Sequence, residues 1–336
     1  MPRTASPRRP LVIGHRGAPG YRPEHTRSSY DLALELGVDA VEPDVVFTRD
    51  RVAVVRHENE IGSTTDVAAH ARFADRRTTK IVDGVALTGW FTEDFTWDEL
   101  ATLRCRERLP ELRPGSASFD GQQSMLRLRD VLDLVRRGSL AQGRELGVVL
   151  EVKHAAYFSA LGYDVASLLA GELRDAGWAA GEHPLVFESF EPTVLRQLRG
   201  LGLPGSYVYL FEADGRPYDL VAAQGAKAPT YRSLTTPAGL DDVARDFDGI
   251  SVDKLMLLAP PRRGGTPSVV ADAHERGLRV FTWTCRPENA FLERRFRLGR
   301  RRAEFGDYEA EWREIAGAGV DGVFVDHPDL GVAAFA

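Results

Sequence analysis

Nine short runs rich in β-branched and apolar residues are spread along the chain: LVIG, AVEPDVV, VAVV, GVVLEV, PLVFES, SYVYLF, GISVD, RVFTWT and DGVFVD. Between most of them lie segments whose apolar residues recur with helical spacing, among them TRSSYDLALELG, YDVASLLAGELRDAG, PTVLRQLRG and PSVVADAHERG. Several of these end in Gly, a common terminator after a helix. Continuous apolar strands alternating with amphipathic helices predict a parallel sheet covered by helices. One pair of runs breaks the pattern. In VEPDVVFTRDRVAVVRH, Val41 to His57, only a few residues around TRDR separate the second run from the third. A parallel crossover needs about a dozen residues or more, whereas a hairpin needs only a short turn, so the third run doubles back on the second. Eight parallel strands remain, starting near residues 11, 40, 147, 184, 206, 249, 279 and 322. The expected fold is an α/β (β/α)8 TIM barrel with a hairpin extension of its second strand.

At 336 residues and 43% hydrophobic, the chain can bury the core of one such barrel, and a single domain over residues 1–336 is expected. Residues 59–124, rich in charge, Thr and aromatics, read as an insertion within it. Connections of this length are functional or form small subdomains, and this one is expected over one end of the barrel. A net charge of -6 argues against a general nucleic-acid binder and leaves a small molecule or another protein as partner. Cys105 and Cys285 stand far apart with no CxxC or histidine spacing, so neither a zinc site nor a disulfide framework is indicated. The opening MPRTASPRRP carries no apolar signal core, and no run approaches the roughly 18 apolar residues of a membrane span. A cytoplasmic location is expected, or a periplasmic or secreted one if a leader has been removed. No phosphate-binding glycine motif supports a nucleotide cofactor. The arginine run in LERRFRLGRRRAEFG reads as a solvated face, with a substrate-steering patch as the alternative.

Catalytic groups of such barrels stand at the C-terminal ends of the strands. The first strand ends in GHRG, which places His15 and Arg16 there, with Gly17 allowing a sharp turn. The second carries Glu42 and Asp44, which share a side because strand side chains alternate. If the hairpin turn centres on Arg49 and Asp50, residue 42 lies opposite residue 57 and His57 returns beside the acids. LEVK adds Glu151 and Lys153. Three carboxylates this close would repel one another without a divalent ion, and oxygen ligation suits Ca2+ or Mg2+ rather than Zn2+. Two imidazoles that titrate near neutral pH can divide acid and base roles. Arg16 and Lys153 would hold an anion, and the oxygens of a phosphodiester would also coordinate a hard metal.

These residues carry a resemblance. HRG at 15–17, PEHT at 23–26, VEPDVVFTRD with VAVVRH from 41 to 57, LEVK at 150–153, ESF at 188–190, TWT at 282–284 and the closing VDGVFVDHPD resemble the glycerophosphodiester phosphodiesterases, in order over almost the whole chain. PEHT and the long insertion, with TKIVDG and GWFTEDFT, look closest to the bacterial glycerophosphoryl diester phosphodiesterases, many of them periplasmic. The resemblance implies Glu42, Asp44 and Glu151 as metal ligands, His15 and His57 as general acid and base, and Arg16 and Lys153 on the phosphate. It places Phe190 and Trp283 on the glycerol side. Two positions depart from the common form: His25 stands where Asn is usual, and Glu58 where Asp follows the second histidine, which puts the orientation of His57 in question. Glu24 and His25, in the loop after the first strand, are the next candidates to touch the site. His70, His154, His183, His274 and His327 read as structural, with His154 the first exception because it follows Lys153. The activity implied is metal-dependent hydrolysis of glycerophosphodiesters such as glycerophosphocholine or glycerophosphoethanolamine to sn-glycerol 3-phosphate and an alcohol. A lysophospholipase D-like phosphodiesterase on the same barrel and a binding module without turnover are the alternatives; oligomeric state is left open.

Overall fold

A computed structural model of the protein describes residues 9–258 and 269–336. The N-terminal MPRTASPR, read above for a leader, and Pro267 and Ser268 of the PSVVADAHERG segment lie outside the described residues. Twelve strands occur among the described residues: β1 (Leu11–His15), β2 (Ala40–Glu42), β3 (Asp44–Phe47), β4 (Ala53–Val55), β5 (Thr78–Val82), β6 (Val85–Gly89), β7 (Gly147–Val152), β8 (Leu185–Ser189), β9 (Ser206–Phe211), β10 (Gly249–Asp253), β11 (Arg279–Cys285) and β12 (Gly322–Val325). Parallel pairing runs β1, β2, β7, β8, β9, β10, β11, β12 and back to β1, so eight strands close into a barrel. The starts expected from the sequence match within a residue.

The second barrel strand is broken at Pro43, which has no N–H to give to a ladder. Beyond it β3 continues beside β7, with Asp44 opposite Glu151, and pairs antiparallel with β4. The hairpin is therefore present, but its register differs from the expected one. Val45 faces Val55 and Phe47 faces Ala53, which centres the turn on Asp50 and puts residue 43, not 42, opposite residue 57. The turn itself explains the slip. It takes five residues, Arg51 sits at φ 65°, and the Thr48 hydroxyl joins the Asp50 carboxylate at 2.6 Å to the Val52 N–H at 2.9 Å.

Side chains of Ile13, Ala40, Val149, Val208, Phe281 and Phe324 fill the barrel interior as one apolar cluster. Their sequence neighbours, such as Val12, Val41, Val148 and Val280, join a second, larger cluster between the strands and the surrounding helices. This two-sided burial is why the strands read as unbroken apolar runs rather than alternating ones. Full burial of each such side chain contributes roughly 1.5–3 kcal/mol. Four of the anticipated helices form as Arg27–Glu35, Val165–Asp175, Pro192–Gly200 and Val269–His274.

Residues 59–124 hold the antiparallel β5–β6 hairpin, turned at Asp83 and Gly84 with φ 48° and 80°, together with short helices at Trp97–Leu100 and Pro114–Ala117. Positive φ at both central residues is the Asp-Gly hairpin turn that matches strand twist. This segment reaches the C-terminal rim of the barrel through Asp83, Arg108 and Arg113. No helix among the described residues is long and apolar enough to cross a membrane.

Candidate active site

At the C-terminal ends of the strands lies a cavity of about 790 Å3. His15, the last residue of β1, and His57, two residues past β4, both line it. Each imidazole is held at Nδ1 by a carboxylate: His15 by Asp326 Oδ1 at 2.6 Å and His57 by Glu58 Oε1 at 2.5 Å. That leaves Nε2 of each ring for a bound molecule. The Glu58 contact answers the doubt raised by its departure from the common form, since the longer side chain still reaches the ring beside it. Burial first, then the neighbouring Arg16 cation, brings His15 down to about 4; burial, Arg16 and Lys153 bring His57 down to about 3. Burial and the neighbouring cations thus favour the neutral form of both rings.

Arg16 is fixed by strained backbone. Its φ of 57° is sustained by hydrogen bonds from its N–H to the Glu42 carbonyl (3.1 Å) and carboxylate (2.8 Å), and from the His25 N–H (3.1 Å) and Ser29 hydroxyl (3.1 Å) to its carbonyl. Gly17 follows at φ 93°, where a Cβ would stand 2.5 Å from Ser29 Oγ, so the turn admits only glycine. The Arg16 guanidinium reaches Glu24 at 3.0 Å and Asp44 at 3.2 Å.

One carboxylate oxygen each from Glu42, Glu151 and Glu188 fall within 4.8 Å of one another. Glu188 was not picked out in the sequence. It stands level with Glu151 on the adjacent strand β8, a neighbour that exists only once the register between β7 and β8 is known. Asp44 is the acid the structure holds differently: Oδ2 takes His25 Nε2 at 2.8 Å, and Oδ1 lies 3.3 Å from Lys153 Nζ. Lys153 also meets Glu151 at 2.6 Å. The electrostatics divide the same way. Burial and the mutual repulsion of the acids push Glu42 and Glu188 well above the ordinary carboxylate range, and burial lifts Glu151 to about 8. For Asp44 burial acts upward too, but Lys153, His57 and Arg16 prevail and hold it well below. Glu42 Oε1 and Glu188 Oε2 are buried without a hydrogen-bond partner. Three converging acids, two of them with unpaired buried oxygens and all hard donors, fit a divalent cation.

Phe190 and Trp283 also line the cavity and meet edge to face, centroids 5.6 Å apart, and Lys153 Nζ stands 5.5 Å from the Phe190 ring. Glu24 and His25 both touch site residues, His25 by bridging Tyr30 and Asp44. His154 lines the cavity and is held by Asp83 at 2.5 Å; His70, His183, His274 and His327 do not line it. Besides Glu188, sequence reasoning missed Asp326, Arg108, Arg113 and Arg286. Asp326 stood in the quoted VDHPD, but its partner lies 311 residues away.

The family model of the glycerophosphoryl diester phosphodiesterase family matches residues 15–330. The chain belongs to this family. Among named phosphodiesterases it is 28% identical to a glycerophosphodiester phosphodiesterase of Arabidopsis thaliana, over 95% of this chain and 84% of the relative. A Haemophilus influenzae glycerophosphodiester phosphodiesterase is 25% identical over 96% and 88%. In fold, the chain resembles an Oleispira antarctica phosphodiesterase solved with the product sn-glycerol-3-phosphate (TM-score 0.63, 19% identity, 97% of this chain and 96% of that one). An Agrobacterium tumefaciens glycerophosphodiester phosphodiesterase gives a TM-score of 0.58 at 19% identity over 96% and 99%. The phosphodiesterase barrel is thus common to these chains, and this one is an enzyme of that family.

Proposed function

We propose that the protein hydrolyses soluble glycerophosphodiesters, such as glycerophosphocholine or glycerophosphoethanolamine, to sn-glycerol 3-phosphate and an alcohol, and that it does so as one barrel domain with residues 59–124 inserted in it. The observation that carries this reading is the pair of carboxylate-held imidazoles, His15 with Asp326 and His57 with Glu58, flanking the acidic cluster in one cavity.

Glu42, Glu151 and Glu188 would hold a divalent cation, Ca2+ or Mg2+, with Asp44, opposite Glu151 in the strand register, as a further candidate ligand. Bound there, it would supply fixed positive charge to phosphoryl oxygens as negative charge builds on them. Arg16 and Lys153 orient the phosphate. They pair with Glu24, Asp44 and Glu151, so substrate oxygens would compete with those carboxylates for the two cations. One imidazole Nε2 takes the proton from the attacking oxygen, either of water or of the glycerol 2-hydroxyl; the second route gives a cyclic phosphate that water then opens, with the two rings exchanging roles. The other, protonated in the complex because the phosphate's charge favours the imidazolium, gives its proton to the departing alkoxide. Asp326 and Glu58 stabilise whichever ring is charged. Phe190 and Trp283 offer an apolar wall to the glycerol carbons.

Turnover of glycerophosphocholine, followed by coupled detection of sn-glycerol 3-phosphate with and without EDTA, tests the reading. His15→Ala and His57→Ala are each expected to lower kcat by on the order of 100-fold or more. Near-normal turnover in either variant sinks its role. A second reading, a lysophospholipase D-like activity, is favoured by two exposed apolar residues on the cavity wall, Val85 at 58% and Leu255 at 47% exposure. Comparing kcat/KM for lysophosphatidylcholine and glycerophosphocholine separates the two.

A further inference from the structure

Both carboxylates that hold the cavity imidazoles are themselves gripped from behind by arginines of the inserted segment. Glu58 receives a two-pronged contact from Arg108, Nη1 to Oε1 at 3.0 Å and Nη2 to Oε2 at 2.6 Å. Oε1 is the same oxygen that holds His57. The guanidinium also takes Glu24 at 2.5 and 2.9 Å, which joins it to the Arg16 side of the site. Asp326, which holds His15 through Oδ1, offers Oδ2 to Arg113 Nη2 at 2.6 Å. The Arg113 Nε meets Glu288 at 2.7 Å, and Arg286 reaches Asp326 Oδ2 at 2.6 Å. The side chain of Arg113 is only 4% exposed, and neither Arg108 nor Arg113 lines the cavity.

We propose that Arg108 and Arg113 are positioning residues: the inserted segment completes the active site by locking the two histidine–carboxylate pairs, without itself touching substrate. The physical reason is orientational. A carboxylate held by one imidazole alone can swing about its side-chain torsions; the Arg108 fork spans both Glu58 oxygens and fixes its plane, while Arg113 ties Asp326 Oδ2 to Glu288 beside the Arg286 contact, and each so sets the direction of Nε2 on the far side of its ring. The two arginines lie five positions apart in RCRERLPELR, so one short stretch sets both rings. This inference rests on the acid–base reading of His15 and His57.

The test uses the whole enzyme supplied with divalent ion, measuring kcat and KM for glycerophosphocholine. Arg108→Ala and Arg113→Ala are expected to lower kcat by about 10- to 100-fold, the range found when the partner behind a metal-bound histidine is removed. KM should stay within about threefold for Arg113→Ala, because Arg113 makes no contact to Arg16 or Lys153, and change less than kcat for Arg108→Ala, because its Glu24 partner also holds Arg16. Pairing each with its carboxylate, Arg108→Ala with Glu58→Gln and Arg113→Ala with Asp326→Asn, should give double variants no slower than the slower single one. Arg72→Ala, an exposed arginine of the same segment bonded to Thr102, should leave kcat unchanged. Should an alanine variant fail to fold, Arg→Lys at that position carries the test, since a point charge cannot span two carboxylate oxygens. A folded variant with kcat within twofold of the parent, or losses that multiply in the doubles, overturns the proposal. If His15→Ala and His57→Ala themselves keep full turnover, the acid–base reading has failed instead.

Discussion

Glu191 is a carboxyl group that its surroundings keep protonated. It is buried beside the cavity, with Oε2 accepting the Ala156 N–H at 2.7 Å; burial and then Asp83 lift it to about 8. Between the ordinary carboxylate value and that figure the folded protein binds a proton that the unfolded chain has released. Stability due to this group therefore falls as pH rises from about 4.5 to 8. Glu191→Gln, which imitates the neutral acid, is expected to raise Tm at pH 9 and to change it little at pH 5. A thermal scan of both proteins at both pH values checks this, and an equal Tm difference at the two pH values would count against it. At this scale much of the site was legible: His15, Arg16, Glu42, His57, Glu151, Lys153, Phe190 and Trp283 all line one cavity, and each stood in a short motif. Glu188 and Asp326 were not read out, because their significance lies in a strand neighbour or a ring hundreds of residues distant.

Elements were legible where one periodicity dominated. All eight barrel strands lie where apolar runs announced them, because residues buried on both faces leave no alternative pattern. The hairpin register was off by one residue, since strand spacing alone does not fix how many residues a turn consumes; the Thr48–Asp50 hydrogen bond and the left-handed Arg51 decide it. Inside 59–124 the local signals were capping signals instead. Thr96 and Glu99 form a reciprocal cap on the helix Trp97–Leu100, with the Thr96 N–H reaching Glu99 Oε2 at 2.9 Å, and Arg76 clamps the same carboxylate at 2.6 and 2.9 Å. Thr96→Ala removes one half of that box and is expected to cost about 1 kcal/mol, read as a lower midpoint with an unchanged slope in urea unfolding. An unchanged midpoint means that the cap does not contribute to the stability of the segment.

For the molecule as a whole, the acidic cluster makes folding and ion binding one problem. Three buried carboxylates oppose one another, and burial and repulsion favour their protonated forms. An ion that binds only the folded chain stabilises it by mass action, about 2.7 kcal/mol at a hundredfold excess over Kd. Added Ca2+ or Mg2+ is therefore expected to raise Tm by several degrees above the value in EDTA, and Glu42→Gln or Glu188→Gln should erase most of that gain. A gain that survives both substitutions places the ion elsewhere.

The seam that closes the barrel joins its first strand to its last, Leu11 beside Gly322 and Gly14 beside Val325, and His15 to Asp326 just beyond. The histidine and its carboxylate are 311 residues apart, with the other barrel strands between them. During synthesis a ribosome must deliver all of that intervening chain before the two can meet, so this contact forms only after the strand that closes the barrel has been made.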